Sequence, residues 1–195
     1  MEALHNKKVG VVFSSGFFGF FAHAGCLQGI EEMGIRPVGY GGTSSGAIVA
    51  AYAAAGMSAR EMGNLFLSLK KRDFWDPEPW YKTVAGALRF FKGWSGYLEG
   101  FRFNRLLAET LPVKTFEELT TPCFIAGCNL TRHSRGVFSS GSIADAVQAS
   151  GTIPWIFKIK PLGGDLFLDG ATGRAGNNCC ENLLCQLIGS ESPGC

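Results

Sequence analysis

The chain has 195 residues, 46% of them hydrophobic, and a formal net charge of +2 at pH 7. That length is enough for one domain with a full core, and so small a positive charge excludes a dedicated nucleic-acid binder, which carries a dense basic stripe. No apolar stretch reaches the roughly 18 residues of a membrane-spanning helix. The opening "MEALHNKKVGVVFSSG" holds too short an apolar run for a signal-peptide core, so a cytoplasmic protein is expected.

Strand and helix signals alternate from the start. Val9–Phe13 is a continuous apolar run, as in a strand covered on both faces. Ala22–Met33 reads as a helix closed by Gly34. Pro37–Gly41 reads as a short strand, and the small residues of Ser45–Ala55 as a helix stopping at Gly56. A strand–helix–strand–helix start favours a parallel sheet. Ser58 with Glu61, and again Thr115 with Glu118, have the spacing of capping boxes. Pro122–Leu130 and Arg135–Ser139 read as strands, Ser142 caps a helix to about Ser150, and Asp165–Leu168 is a last strand before Asp169-Gly170. Between Leu65 and Phe103 aromatic residues interleave with Lys and Arg, from Phe66, Trp75, Trp80 and Tyr81 to Phe90, Trp94 and Phe101. This segment reads equally as a cover over a lipid substrate, with affinity for an anionic lipid surface, or as a helical subdomain with its own core.

The seven cysteines cannot all pair within one chain. Cys26, Cys123 and Cys128 lie in apolar stretches and are expected as small buried hydrophobes. Cys179, Cys180, Cys185 and Cys195 match no zinc spacing and contain no C-x-x-C pair, so a reduced thiol set is expected over a disulfide framework.

Gly42-Thr43-Ser44-Ser45-Gly46 is a G-x-S-x-G between a strand and a helix, the context of a nucleophile elbow. Ser44 would project its hydroxyl from the sheet end, near the positive end of the following helix. Its plainer reading is an N-capping serine in a glycine turn, although Ser45 is the better placed of the two for that. A serine nucleophile needs a base. Of His5, His23 and His133, none follows the last acidic strand end, and His23 reads as a hydrogen-bonded or solvated helix residue, so a base other than histidine is expected. Asp169, at a strand end before Gly170, is as much a turn residue as a base by spacing alone. Partial desolvation there would raise its pKa toward one suited to accepting a proton.

Together, "SSGFFG", "GTSSGA" and "DGA", in that order, resemble the patatin-like phospholipase family. "VFSSGSIADAVQASGTIPWIFKIKPLGGDLFLDGA" resembles that family's run into its aspartate, so the likeness covers about Lys8 to Ala171. The resemblance implies a three-layer α/β/α fold with a mainly parallel central sheet. It also implies a serine acyl hydrolase with Ser44 as nucleophile and Asp169 as base, without cofactor or metal. Its oxyanion turn falls on Ser15, Gly16, Phe17 and Phe18, with Gly19, Gly42, Gly46 and Gly170 as motif glycines. Backbone N–H groups do that work, so Phe17 and Phe18 are free to wall the site against water and to contact an acyl chain, whereas Phe20 and Phe21 are expected in the core. The family carries an arginine or lysine where this chain has Phe18, and its Asn-x-Pro continuation is replaced after Ala171 by "TGRAGNNCCENLLCQLIGSESPGC". Residues 1–172 are therefore expected as the catalytic domain, with the cover at about 65–105, and 173–195 as an atypical, truncated or frameshifted tail. The expected partner is a lipid or ester substrate of short to medium acyl chain, met at the periphery of a lipid surface, and no oligomeric state is set. A transacylase with the same site, or a non-catalytic lipid-binding relative, would share these motifs.

Overall fold

The computed structural model describes residues 8–88 and 95–172. His5, Phe90, Phe91, Trp94 and the segment 173–195 with its four cysteines lie outside the described residues.

The chain opens with β1 (Gly10–Phe13), α1 (Phe20–Glu32), β2 (Gly39–Thr43) and α2 (Ser45–Ala54). The first helix starts two residues earlier than its sequence suggests, and the second strand lies two residues later. After α2 come α3 (Ala59–Ser68), α4 (Lys71–Phe74), α5 (Trp80–Leu88), β3 (Gly96–Leu98) and α6 (Phe101–Thr110). The last part holds β4 (Cys123–Asn129), β5 (Ser134–Phe138), α7 (Ile143–Ser150), β6 (Trp155–Phe157), β7 (Lys160–Leu162) and β8 (Asp165–Asp169).

Strands β1, β2 and β4 pair in parallel, as the alternating start favours, and β5, β8 and β7 join antiparallel. One feature of the register positions everything that follows. β5 occupies one edge of β4 from Ile125 to Asn129, so β2 and β8 share the other edge. Thr43, the last residue of β2, pairs with Ala126, and Asp169, the last residue of β8, pairs with Gly127. The two strands therefore run toward each other along β4 and their C-terminal ends meet.

Alternate residues of a strand face opposite ways, and the core follows that rule. Val11, Phe13, Cys123 and Ile125 pack with the buried faces of α1, α2, α3, α6 and α7 in one core, whereas Val12, Phe124 and Val137 gather around Ala126 on the other face. Among the described residues the helical layer thus covers one face of the sheet. α2 is buried nearly all round because it is built from small residues: Ala47, Val49, Ala50 and Ala51 are fully buried. It lies so close to the sheet that a Cβ on Gly42 would sit 2.3 Å from the Gly46 carbonyl oxygen, and one on Gly46 2.3 Å from that of Phe13.

Ser58 and Glu61 form the expected capping box at the start of α3. Thr115 and Glu118 do not: only a 3₁₀ turn, Phe116–Glu118, forms there, without a side-chain cap, because Glu118 reaches instead to the Lys114 amide at 2.9 Å. Cys26 is exposed, correcting the expectation of burial, since it lies on the solvent side of α1; Cys128 is half-buried. Cys123 is buried, and desolvation pushes its thiol up to about 12. Phe20 packs on the core beside Phe66, but Phe21 is 44% exposed, so it is a rim residue and not a core one.

The aromatic segment divides. Phe66, Leu98 and the half-buried Phe103 face inward, and Trp75 is sandwiched by the Lys71 ammonium, 4.4 Å from its ring, and Tyr97. Trp80, Tyr81 and Phe101 point to solvent. β3 pairs in parallel with β6, and buried Glu78 accepts from Lys158 at 3.0 Å and from Thr83, pinning the start of α5 to the end of β6. No helix among the described residues is long and apolar enough to cross a membrane.

Candidate functional site

The turn from β2 into α2 bends so sharply that Ser44 adopts φ 54°, ψ −120°. A positive φ is strained for a residue with a Cβ, and surrounding structure must hold it. The restraint is visible. The Ser44 amide donates to the Ser150 hydroxyl at 2.8 Å, and that hydroxyl donates onward to the Ala126 carbonyl at 2.6 Å. Ser150 is fully buried at the end of α7, so the Ser44 turn is tied to both α7 and β4.

Asp169 arrives from the opposite direction. Its amide donates to the Thr152 carbonyl at 2.8 Å and the Gly170 amide to the Ser150 carbonyl at 3.2 Å, so the end of β8 is clamped to the segment that holds Ser44. Gly170 must be glycine: a Cβ there would lie 2.5 Å from the Ala126 carbonyl oxygen and 2.8 Å from the Thr43 methyl carbon. With both strand ends so fixed, Asp169 lies near enough to Ser44 for the serine hydroxyl to lower its proton affinity, and the Ala171 amide donates to Asp169 Oδ1 at 2.8 Å. Burial pushes the Asp169 carboxyl above its ordinary value, against the opposite pull of the Ser44 hydroxyl and the Ala171 amide.

Ser44 is 7% and Asp169 4% exposed, so both residues are buried. Ser44 is also the residue that precedes α2, and neither it nor Ser45 caps that helix with its side chain. Ser45, expected as the cap, is instead the first helical residue, with its hydroxyl buried and without a hydrogen-bond partner among the described residues.

The glycine-rich turn closes by a hydrogen bond from the Gly19 amide to the Gly16 carbonyl at 2.7 Å. That bond engages Gly19, whereas the Gly16, Phe17 and Phe18 amides find no acceptor among the described residues. Ser15 lies exposed just before them. The rings of Phe17 and Phe18 meet edge to face and are 62% and 64% exposed, so neither belongs to the core. His23 holds this turn at its other end, donating from Nε2 to the Ser14 carbonyl at 2.9 Å beside the Phe13 ring. His133 is exposed in the β4–β5 turn. Among the described residues, no group of three or more His, Cys, Asp and Glu side chains is placed to hold a metal ion.

Two residues of this arrangement were not singled out by sequence. Ser150 looks there like the last residue of a helix, and Thr152 like part of a loop; their partners are set by the fold. The arrangement can remove a proton from a serine hydroxyl and offer amide donors to a developing negative charge.

Residues 11–179 match the family model described as patatin-like phospholipase. The chain is 29% identical over 188 residues to an uncharacterized NTE family protein of Mycobacterium tuberculosis, covering 95% of this chain and 29% of that protein. It is 26% identical over 167 residues to Lysophospholipase NTE1 of Cryptococcus neoformans, covering 86% of this chain and 10% of that protein. It thus spans less than a third of the length of these relatives. Among solved structures it resembles VipD from Legionella pneumophila, with a TM-score of 0.60 at 16% identity over 87% of this chain and 48% of that one, a likeness of fold.

Proposed function

The chain belongs to the patatin-like phospholipase family, and on that premise we propose that it is a serine acyl hydrolase cleaving carboxylic esters of short to medium acyl chains or lipids, with residues 1–172 as its catalytic unit. The observation that carries this reading is the juxtaposition of Ser44 with a buried Asp169 at the point where β2 and β8 meet on β4.

In the first step Ser44 Oγ bonds to the ester carbonyl carbon while its proton passes to Asp169, and the carbonyl π pair moves onto oxygen. The amides of Gly16, Phe17 and Phe18 and the positive end of α2 stabilise that oxyanion. The intermediate collapses, and the leaving alkoxide takes the proton from Asp169. Water, deprotonated by Asp169, then releases the acid and restores Ser44. A carboxylate suits this work because burial has raised its proton affinity. The exposed rings of Phe17, Phe18 and Phe21 offer an acyl chain an apolar surface beside the oxyanion turn, and suit contact with a lipid surface.

Labelling with a fluorophosphonate, followed by peptide mass analysis, tests the reading. The label is expected on Ser44, with hydrolysis of p-nitrophenyl butyrate lost in proportion. An unlabelled chain that still binds lipid would identify a non-catalytic relative, and acyl transfer to an added alcohol in preference to water would identify a transacylase.

A further inference from the structure

We propose that the Ser45 hydroxyl is a catalytic donor to the oxyanion, acting beside the turn amides; this rests on the hydrolase reading above. Ser45 is 4% exposed, and its Oγ has no hydrogen-bond partner among the described residues. Buried hydroxyls are normally satisfied, so an orphan next to a nucleophile calls for a purpose. Its direction supplies one. Oγ lies 3.1 Å from the point a Cβ on Gly19 would occupy and 3.8 Å from that on Gly16, so it faces the turn that carries the unpaired Gly16, Phe17 and Phe18 amides.

Ser45 is also the first residue of α2, a ten-residue helix whose positive end already favours a negative charge here. A hydroxyl, unlike an amide, can rotate its hydrogen, so it can be idle in the free enzyme and donate once charge develops. When Ser44 Oγ bonds to the carbonyl carbon and the π pair moves to oxygen, that oxygen accepts the Ser45 O–H. When the intermediate collapses and the alkoxide leaves, the bond is released. The Ser45 proton stays on Ser45 throughout, and Asp169 alone transfers protons.

The donor is made only for the transition state, so its loss is read in kcat and not in KM. In S45A, kcat for p-nitrophenyl butyrate is expected to fall about 10²-fold, the lower end of the cost of one oxyanion donor, with KM changed less than about twofold. The Tm is expected to be unchanged or higher, because the mutation deletes an unsatisfied group. S45C, similar in size but a weaker donor, should fall between wild type and S45A. Labelling of Ser44 by a fluorophosphonate, whose phosphoryl oxygen uses the same donors, should slow in the same order. Equal labelling rates in wild type and S45A would overturn this inference while leaving the hydrolase reading intact. A lowered Tm with equal losses in S45A and S45C would mark a packing role and overturn it as well. Wild-type chain that takes no label on Ser44 would remove both.

Discussion

The Ser150 hydroxyl accepts the Ser44 amide at 2.8 Å, across a separation of 106 positions in the chain. This contact, with its onward bond to the Ala126 carbonyl, holds a positive-φ residue at the end of β2. S150A leaves both backbone groups buried without a partner, which should cost about 1–3 kcal/mol. With the elbow less fixed, kcat should drop about tenfold with KM little changed, since small misplacements of a reacting atom are costly. Denaturant unfolding and steady-state kinetics on the same protein check both; an unchanged kcat would show that the clamp serves stability alone.

Replacing Ser44, the proposed nucleophile, separates chemistry from strain. S44A should abolish ester hydrolysis, and its stability should stay within about 1 kcal/mol of wild type. S44G should be equally inactive yet more stable than S44A by about 1 kcal/mol, because glycine accepts φ 54° without a Cβ clash. A melting comparison of the two variants tests this, and S44A as stable as S44G would mean that the elbow stores no strain.

Asp169 gives the protein a pH signature. Its carboxyl binds protons more tightly in the native state than in the unfolded chain, so the native state holds more protons between the ordinary carboxylate range and its raised native value. Stability attributable to this residue is therefore full at lower pH and falls as pH rises through that window. D169N cannot titrate, so wild type should lose stability relative to D169N across it. In the opposite sense, kcat/KM should rise through the same window as the carboxylate forms, and D169N should lose roughly 10²–10⁴-fold in rate. Denaturation curves at stepped pH, beside a pH–rate profile, check the two halves; parallel stability curves for the two proteins would contradict the first.

Phe17 and Phe18 have little to lose on truncation. At 62% and 64% exposed, F17A and F18A should cost well under the roughly 3–5 kcal/mol of a buried phenylalanine. F20A, which removes a ring packed against Phe66, should cost more than either. If the two exposed rings contact the acyl chain, F17A and F18A should shift the ratio of kcat/KM between short and medium esters, each lost methylene contact being worth about 1–3 kcal/mol. An unchanged ratio in both would leave them a lipid-surface role only.

Much of this architecture is legible in the residues. The βαβα start, the small-residue helix and the capping box at Ser58 follow from local periodicity and local hydrogen bonds, which sequence encodes directly. That Ser44 and Asp169 come together is suggested by motifs, but the reason they do is not local. It lies in a strand, β4, that gives one edge to two partners approaching from opposite ends. Thr115–Glu118 misleads because the Lys114 amide competes for the same carboxylate. Cys26 and Phe21 mislead because an apolar helix reads as buried all round, while α1 is covered on one side only. Ser150 carries no signal at all: a serine ending a helix is ordinary until its fold partner is known.

The meeting of β2 and β8 on β4 also sets a timetable. Ser44 precedes Asp169 by the whole stretch from α2 to β8, so the proposed base is made well after the serine. Segments emerging from synthesis begin to fold in order, N-terminal parts first. β1, β2, α2 and β4 can assemble an elbow with its serine in place, but the vacant length of β4 edge must wait for β8. Until β8 arrives, that serine has no carboxylate to take its proton. Under the proposed mechanism, Ser44 gains its base only when β8 docks on β4.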